Sequence, residues 1–161
     1  MFDKGVCNES TLVAFFLQQN PTFPKQQITE IAKLYIKESN YEGINSDIAF
    51  AQMCLETGYL TFGNLVTPQM NNFCGLGAID KDHPGESFES VQMGIRAHIQ
   101  HLHAYSTPED ILIKNELIDN RYKWVKPRGK AQTIFELTKT WAMDSEYGNK
   151  IDRILNQMEF K

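Results

Sequence analysis

The stretch Ala49-Phe50-Ala51-Gln52-Met53-Cys54-Leu55-Glu56-Thr57-Gly58-Tyr59 decides the reading of this chain. It predicts a largely apolar helix that carries one carboxylate, Glu56, in its last turn and is stopped at once by Gly58. Carboxylates are favoured at helix starts, where the backbone dipole is positive. At a C-terminal end the dipole opposes ionisation, and apolar neighbours add a desolvation penalty of the same sign. Both effects raise the pKa of Glu56, as a general acid working near neutral pH requires.

Around that helix, 161 residues of ordinary apolar content predict one globular domain over residues 1–161. A formal net charge of −4 without any Lys/Arg block argues against nucleic acid as a partner. The longest apolar run, Leu12 to Leu17, is too short to insert into a membrane. Met1-Phe2-Asp3-Lys4 lacks the basic and apolar pattern of a secretion signal. Cys7, Cys54 and Cys74 are an odd set with no C-x-x-C, which is neither a disulfide framework nor a zinc site. The spacing leaves open whether Cys54 and Cys74 pair.

Helical signals recur along the chain. Ser10 is expected to cap a helix through Leu17, and Pro24 to open one that runs to Glu38 with Ile28, Ile31, Ala32 and Tyr35 on its inner face. Asn40 to Asn45 reads as a turn, and Ser46 as the cap of the Glu56 helix. Residues 61–90, rich in glycine and proline, read as a loop and then a small β-hairpin around Gly75–Ile79 and Ser87–Phe88. Helix resumes from Ser90 to Tyr105. Thr107-Pro108-Glu109-Asp110 reads as a further helix start. Asn120 to Arg128 reads as a loop over the core, Thr133 and Glu136 as a capping box opening a helix through Trp141, and Tyr147 as the start of a last helix with Ile151, Ile154, Leu155 and Met158 inward. The fold class is therefore mainly α with a small β-hairpin lobe.

Several chemistries are excluded. Gly75-Leu76-Gly77 is not a phosphate cradle, because the third glycine position holds Asp80. His98, His101 and His103 lack a third metal ligand at suitable spacing. His98 falls on the buried stripe, and the other two are expected at the surface. No metal or organic cofactor is expected. What remains is Glu56 on a helix facing Asp80, Asp82, Glu86 and Glu89 in the glycine-rich loop, an arrangement suited to glycoside hydrolysis. Tyr59, Phe62 and Phe73 could stack on sugar rings. Asn71 and Asn72 could bind hydroxyl or acetamido groups, or serve turn chemistry instead.

Four blocks occur in order: Leu55-Glu56-Thr57-Gly58-Tyr59, Asn71-Asn72-Phe73-Cys74-Gly75-Leu76-Gly77-Ala78, residues 90–102 (SVQMGIRAHIQHL), and residues 141–151 (WAMDSEYGNKI). Together they resemble the bacterial glucosaminidase domain of glycoside hydrolase family 73, over nearly the whole chain. The resemblance implies a lysozyme-like helical domain. It implies an endo-β-N-acetylglucosaminidase, an autolysin or lysin that cuts peptidoglycan between N-acetylglucosamine and N-acetylmuramic acid. It implies Glu56 as general acid, Tyr147 beside the cleft in support of catalysis, its hydroxyl expected to hold the acetamido group or the attacking species, and Asn71, Asn72, Phe73 and Gly75 along the sugar site, where Tyr59 is expected to stack. The family often carries a second acid, for which Glu86 lies at a suitable distance along the chain; otherwise the substrate's acetamido oxygen takes that role.

The resemblance further implies peptidoglycan glycan strands as partner, a monomer, and action outside the cell, at the wall or in a periplasm. Two other readings fit the same residues. One is a lytic transglycosylase of related fold, which leaves a 1,6-anhydro end. The other is a non-catalytic module that clamps wall glycan.

Overall fold

The computed structural model describes residues 1, 3–108, 111–126 and 128–159. Among these residues five α-helices carry the fold: α1 (Glu9–Gln19), α2 (Lys25–Glu42), α3 (Ser46–Thr57), α4 (Val91–Ser106) and α5 (Tyr147–Glu159). Helix α3 is the centre. Every residue from Ser46 to Cys54 is buried, and α1, α2, α4 and α5 pack around it. A helix buried on all sides needs apolar residues all round, which is the pattern read from the sequence. Leu12, Phe16, Ile28, Tyr35, Phe50, Met53, Ile95, Ile99 and Ile151 form the core it organises.

Helix boundaries move where side chains have better partners than the local pattern suggested. Asn8, not Ser10, caps α1, its Oδ1 accepting from the Thr11 N–H at 2.9 Å. Asn45, not Ser46, caps α3 by accepting from the N–H groups of Asp47 and Ile48. The buried Asp47 carboxylate then accepts from Val6 and Cys7, which ties the N-terminal segment to α3. Pro24 opens α2 as expected, but the helix runs four residues past Glu38 before Gly43 takes the left-handed conformation. The extra turn persists because Glu38, at its start, and Glu42, at its end, have distant partners. Glu38 accepts from the Arg96 Nε at 2.6 Å, and Glu42 accepts from the backbone N–H groups of Lys114 and Asn115.

The β-hairpin lobe does not form. Among the described residues the segment holds only an isolated bridge between Asp80 and His83. Asn72 does the work a strand ladder would have done. Its Nδ2 donates to the carbonyls of Leu76 and Glu86 at 2.9 and 3.0 Å, and its Oδ1 accepts from the Leu76 N–H at 2.9 Å. One buried side chain thus closes a loop that the glycines at 75, 77 and 85, all at positive φ, fold back on itself. The loop then sits against α4 at Gly94, where a Cβ would lie 1.8 Å from the Asn71 carbonyl oxygen. Gly94→Ala must push this loop away; a loss of about 3 kcal/mol in urea unfolding is expected, as for overpacked interiors.

The C-terminal half departs further from the pattern. Glu109 and Asp110 of the expected helix start lie outside the described residues, while Thr107 ends α4 and residues 111–121 hold no helix. This segment covers α4, so His101 and His103 are buried rather than at the surface. His101 meets Asp119 at 2.7 Å, and His103 meets Tyr122 at 3.0 Å. Tyr122–Trp124 makes one short 3₁₀ turn. The helix expected from Thr133 through Trp141 is a single 3₁₀ turn, Ile134–Leu137. It stops because Lys139 adopts φ 64° and Thr138 bonds outward to the Gly148 N–H. The resulting bend carries Trp141 away from a helix surface and towards α3 and α4. All three cysteines are free, with Cys54 and Cys74 buried.

Candidate active site

Glu56 is held by the way α3 ends. Gly58 takes φ 56° and its N–H bonds back to Cys54 and Leu55. Three further residues beyond it, Tyr59, Leu60 and Phe62, also have positive φ although none is glycine. Such backbone is costly and persists only where surroundings enforce it. Here Thr57 enforces it: its Oγ1 accepts from the Leu60 N–H at 2.9 Å and its carbonyl from the Phe62 N–H at 2.8 Å. The tight coil turns the chain away directly after Glu56 and leaves the carboxyl at the edge of open space.

That space has two recesses, which share Gly75 and Ala78 as a common wall. One, of about 200 Å³, is lined by Glu56, Phe62, Asn64, Val66 and Asn72 among others. The other, of about 310 Å³, is lined by Trp141, Tyr105, His101, Arg121, Trp124 and Lys126 among others. Gly75, at φ 67°, lies against the carboxyl: a Cβ there would be 3.5 Å from Glu56 Oε2.

The other carboxyl oxygen is occupied. The Tyr147 hydroxyl, at the first residue of α5, donates to Glu56 Oε1 at 2.6 Å. The Gln52 Nε2 donates in turn to the Tyr147 oxygen at 2.8 Å. Burial raises the pKa of Glu56, and hydrogen bonds from Tyr147 and Trp141 partly offset that rise. Burial and the adjacent carboxylate raise the Tyr147 phenol well above 10, so it stays protonated and remains a donor. The arrangement is a carboxyl whose pKa is raised by burial, with one oxygen fixed by a phenol and the other against Gly75 at the recess wall.

The remaining residues expected at the site divide clearly. Asn72 and Gly75 line the Glu56 recess. Both polar atoms of the Asn72 side chain are spent on the loop. Asn71 donates from Nδ2 to the Phe88 carbonyl at 3.1 Å. Phe73 is buried in the core, and Tyr59 packs on Phe15 and Phe16 at ring-centroid distances of 6.1 Å; neither lines the two recesses. Glu86 pairs with Arg121 at 3.7 Å and also lines neither recess. Asp80 is exposed and bonds His83. No group of three or more metal-ligating side chains occurs among the described residues. Among them, too, no helix is long and apolar enough to cross a membrane.

Of two contributors that periodicity passes over, Gln52 alone carries a local signal. Gln52 stands four residues before Glu56, hence on the same helix face, and is polar within an apolar run. Trp141 falls at the end of an expected helix; only the bend at 138–142 brings its indole to Glu56.

Fold and site define a helical protein with a part-buried carboxyl–phenol pair beside a surface groove. A family model described as "Glucosaminidase: Mannosyl-glycoprotein endo-beta-N-acetylglucosaminidase" matches residues 32–160. An uncharacterized protein of Borreliella burgdorferi is 42% identical over 158 residues, covering 98% of this chain and 76% of that protein. No solved structure matches. The chain belongs to the glucosaminidase family.

Proposed function

We propose that this protein is a peptidoglycan hydrolase, an endo-β-N-acetylglucosaminidase that cleaves the bond between N-acetylglucosamine and N-acetylmuramic acid, with Glu56 as general acid. The observation that carries this reading is the Glu56–Tyr147 pair, with Glu56 lining one of two recesses that meet at Gly75 and Ala78. Glycan lies across Gly75, the glycosidic oxygen next to Glu56 Oε2. Glu56 gives its proton to that oxygen as the C–O bond breaks, and positive charge grows on the ring. The ionised Glu56 is then held by the Tyr147 hydroxyl and the Trp141 indole until water attacks the anomeric carbon, its oxygen forming the new C–O bond, breaking the bond to the acetamido oxygen, and its proton returning to Glu56.

The developing cation is met by the substrate's own 2-acetamido oxygen rather than by a second carboxylate. Glu86 supports this by its position: it is engaged with Arg121 and stands outside both recesses. Glu86→Gln is accordingly expected to keep turnover on isolated walls within about threefold of the parent, as for substrate-assisted glycosidases. A loss like that of Glu56→Gln would restore Glu86 as the second group.

The activity is tested by digesting defined peptidoglycan, reducing the products with borohydride and identifying the new ends by mass spectrometry. Reduced N-acetylglucosamine ends are expected. Ends carrying a 1,6-anhydro ring would make the protein a lytic transglycosylase. Binding without release of fragments would make it a glycan clamp. The working place that follows from such a substrate is the cell wall or periplasm.

A further inference from the structure

Behind the Glu56–Tyr147 pair lies a line of buried polar side chains that proton donation does not by itself require. Gln52 Oε1 is 2.7 Å from His98 Nε2, and His98 Nδ1 is 2.7 Å from the Tyr35 hydroxyl. All three residues are buried to completion. The line passes from α2 through α4 to α3 and α5 and returns to α3 at Glu56. We propose that Gln52 and His98 are positioning residues: with Tyr35 behind them they form a one-way chain of hydrogen-bond donors that fixes Tyr147 as donor to Glu56 Oε1 and leaves Oε2, on the groove side, to carry the acid proton. This rests on Glu56 being the acid.

The direction follows from the far end. Among the described residues the Tyr35 hydroxyl has a single hydrogen-bond partner, His98 Nδ1. A buried donor without an acceptor is costly, so Tyr35 donates and Nδ1 accepts. The ring is neutral, since burial and neighbouring His101 push its pKa to about 3. A neutral ring accepting at Nδ1 carries its proton on Nε2, which therefore donates to Gln52 Oε1. The Gln52 amide then presents its N–H₂ to the Tyr147 oxygen. That oxygen already accepts, so its own proton goes to Glu56 Oε1. Each link leaves the next one choice.

The reverse direction is also continuous, but it orphans the Tyr35 proton. It would also place the Glu56 proton on Oε1, aimed at Tyr147 and away from the groove. The chain thus selects which carboxyl oxygen is the acid. The groups that face Glu56 are Tyr147 from α5, Trp141, and the buried Cys74 of the loop. Those that face His98 are Tyr35, Gln52, His101 and Trp141. None of these is a carboxylate or a lysine that would override the order.

Nitrogen-15 NMR of the unmodified protein tests the direction on the resting protein, whether or not it cleaves glycan. The expected result is a His98 ring with bare Nδ1 and protonated Nε2, unchanged from pH 5 to pH 9. A ring protonated on Nδ1, or a mixture, would overturn the proposal. Gln52→Met, which keeps the volume and removes both hydrogen bonds, tests the consequence. Its kcat is expected to fall about tenfold, as for a misplaced reacting group, with KM within about twofold. The alkaline limb of the kcat profile should move to higher pH, because a less polarised Tyr147 lets the Glu56 pKa rise. A fall in kcat with the limb unmoved would reduce Gln52 to packing and defeat the proposal. Should Gln52→Met fail to fold, the tautomer of the unmodified protein decides.

Discussion

Glu56→Gln is expected to lower kcat on purified peptidoglycan by about 10³-fold, in the range of lost general acid catalysis. The amide fills the same volume and can still accept from the Tyr147 hydroxyl, so the helix end and the groove should be intact. What it lacks is the proton at Oε2. The same substitution should make the protein more stable, in a pH-dependent way. Burial raises the folded-state pKa of Glu56 above its ordinary 4.5, so the neutral form is the one the fold prefers. Below pH 4.5 both folded and unfolded states hold the proton, and no difference is expected. As pH rises through the folded-state pKa the ionised carboxyl becomes a burden that the uncharged amide does not carry. A thermal melt should therefore show Glu56→Gln level with the parent at pH 4 and above it at pH 8. Equal melting at both values would mean that the carboxyl is not under strain.

Tyr147→Phe is expected to cost about 10²-fold in kcat, as for removal of one donor aimed at transition-state charge. The ionised Glu56 that forms on proton transfer loses its 2.6 Å hydrogen bond. KM should change little, because Tyr147 is buried and lines neither recess. The pH profile separates this from a general loss of structure. Tyr147 lowers the Glu56 pKa, so its removal lets that pKa rise. Glu56 then holds its proton to higher pH, and the alkaline limb moves up even as the maximum falls. A drop in rate with no movement of the limb would exclude the phenol from the acid's electrostatics.

The sequence carried most of what positions the acid. The apolar run of α3, its stop at Gly58, the start of α5 at Tyr147 and the resumption of helix after Ser90 are local features, and local chemistry predicts them. What it did not carry are pairings across the chain. Glu38 and Glu42 extend α2 because Arg96 and the 111–119 segment supply partners that no window around residue 40 contains. His101 and His103 are buried by a segment that has no hydrophobic period of its own. The hairpin expected at residues 75–88 gives way to a loop closed by one asparagine, a role that turn chemistry suggested for Asn72 but could not direct to Leu76 and Glu86. Tyr59 and Phe73, adjacent to site residues in sequence, turn inward because the positive-φ coil and Gly94 packing send their rings to the core.

The same limit explains the site. Glu56 is legible because a carboxyl at an apolar helix end is odd by local rules. His98 falls on a buried stripe as a core histidine, and its ring is satisfied there; that its two partners lead to the acid is visible only once α2, α3, α4 and α5 are packed. Polar residues on the buried face of a helix are costly unless paired. Gln52 at the position four before Glu56 is such a residue, and its pairing is the route by which the fold reaches the chemistry.

Helix α3 ends by holding a carboxyl of raised pKa against a groove. Carbon-13 NMR of the side-chain carboxyls, with Glu56 assigned by its absence in Glu56→Gln, measures this on the unmodified protein. Glu56 is predicted to titrate above its ordinary 4.5, and that titration to match the alkaline limb of the hydrolysis profile. A Glu56 that titrates at or below 4.5 would contradict it.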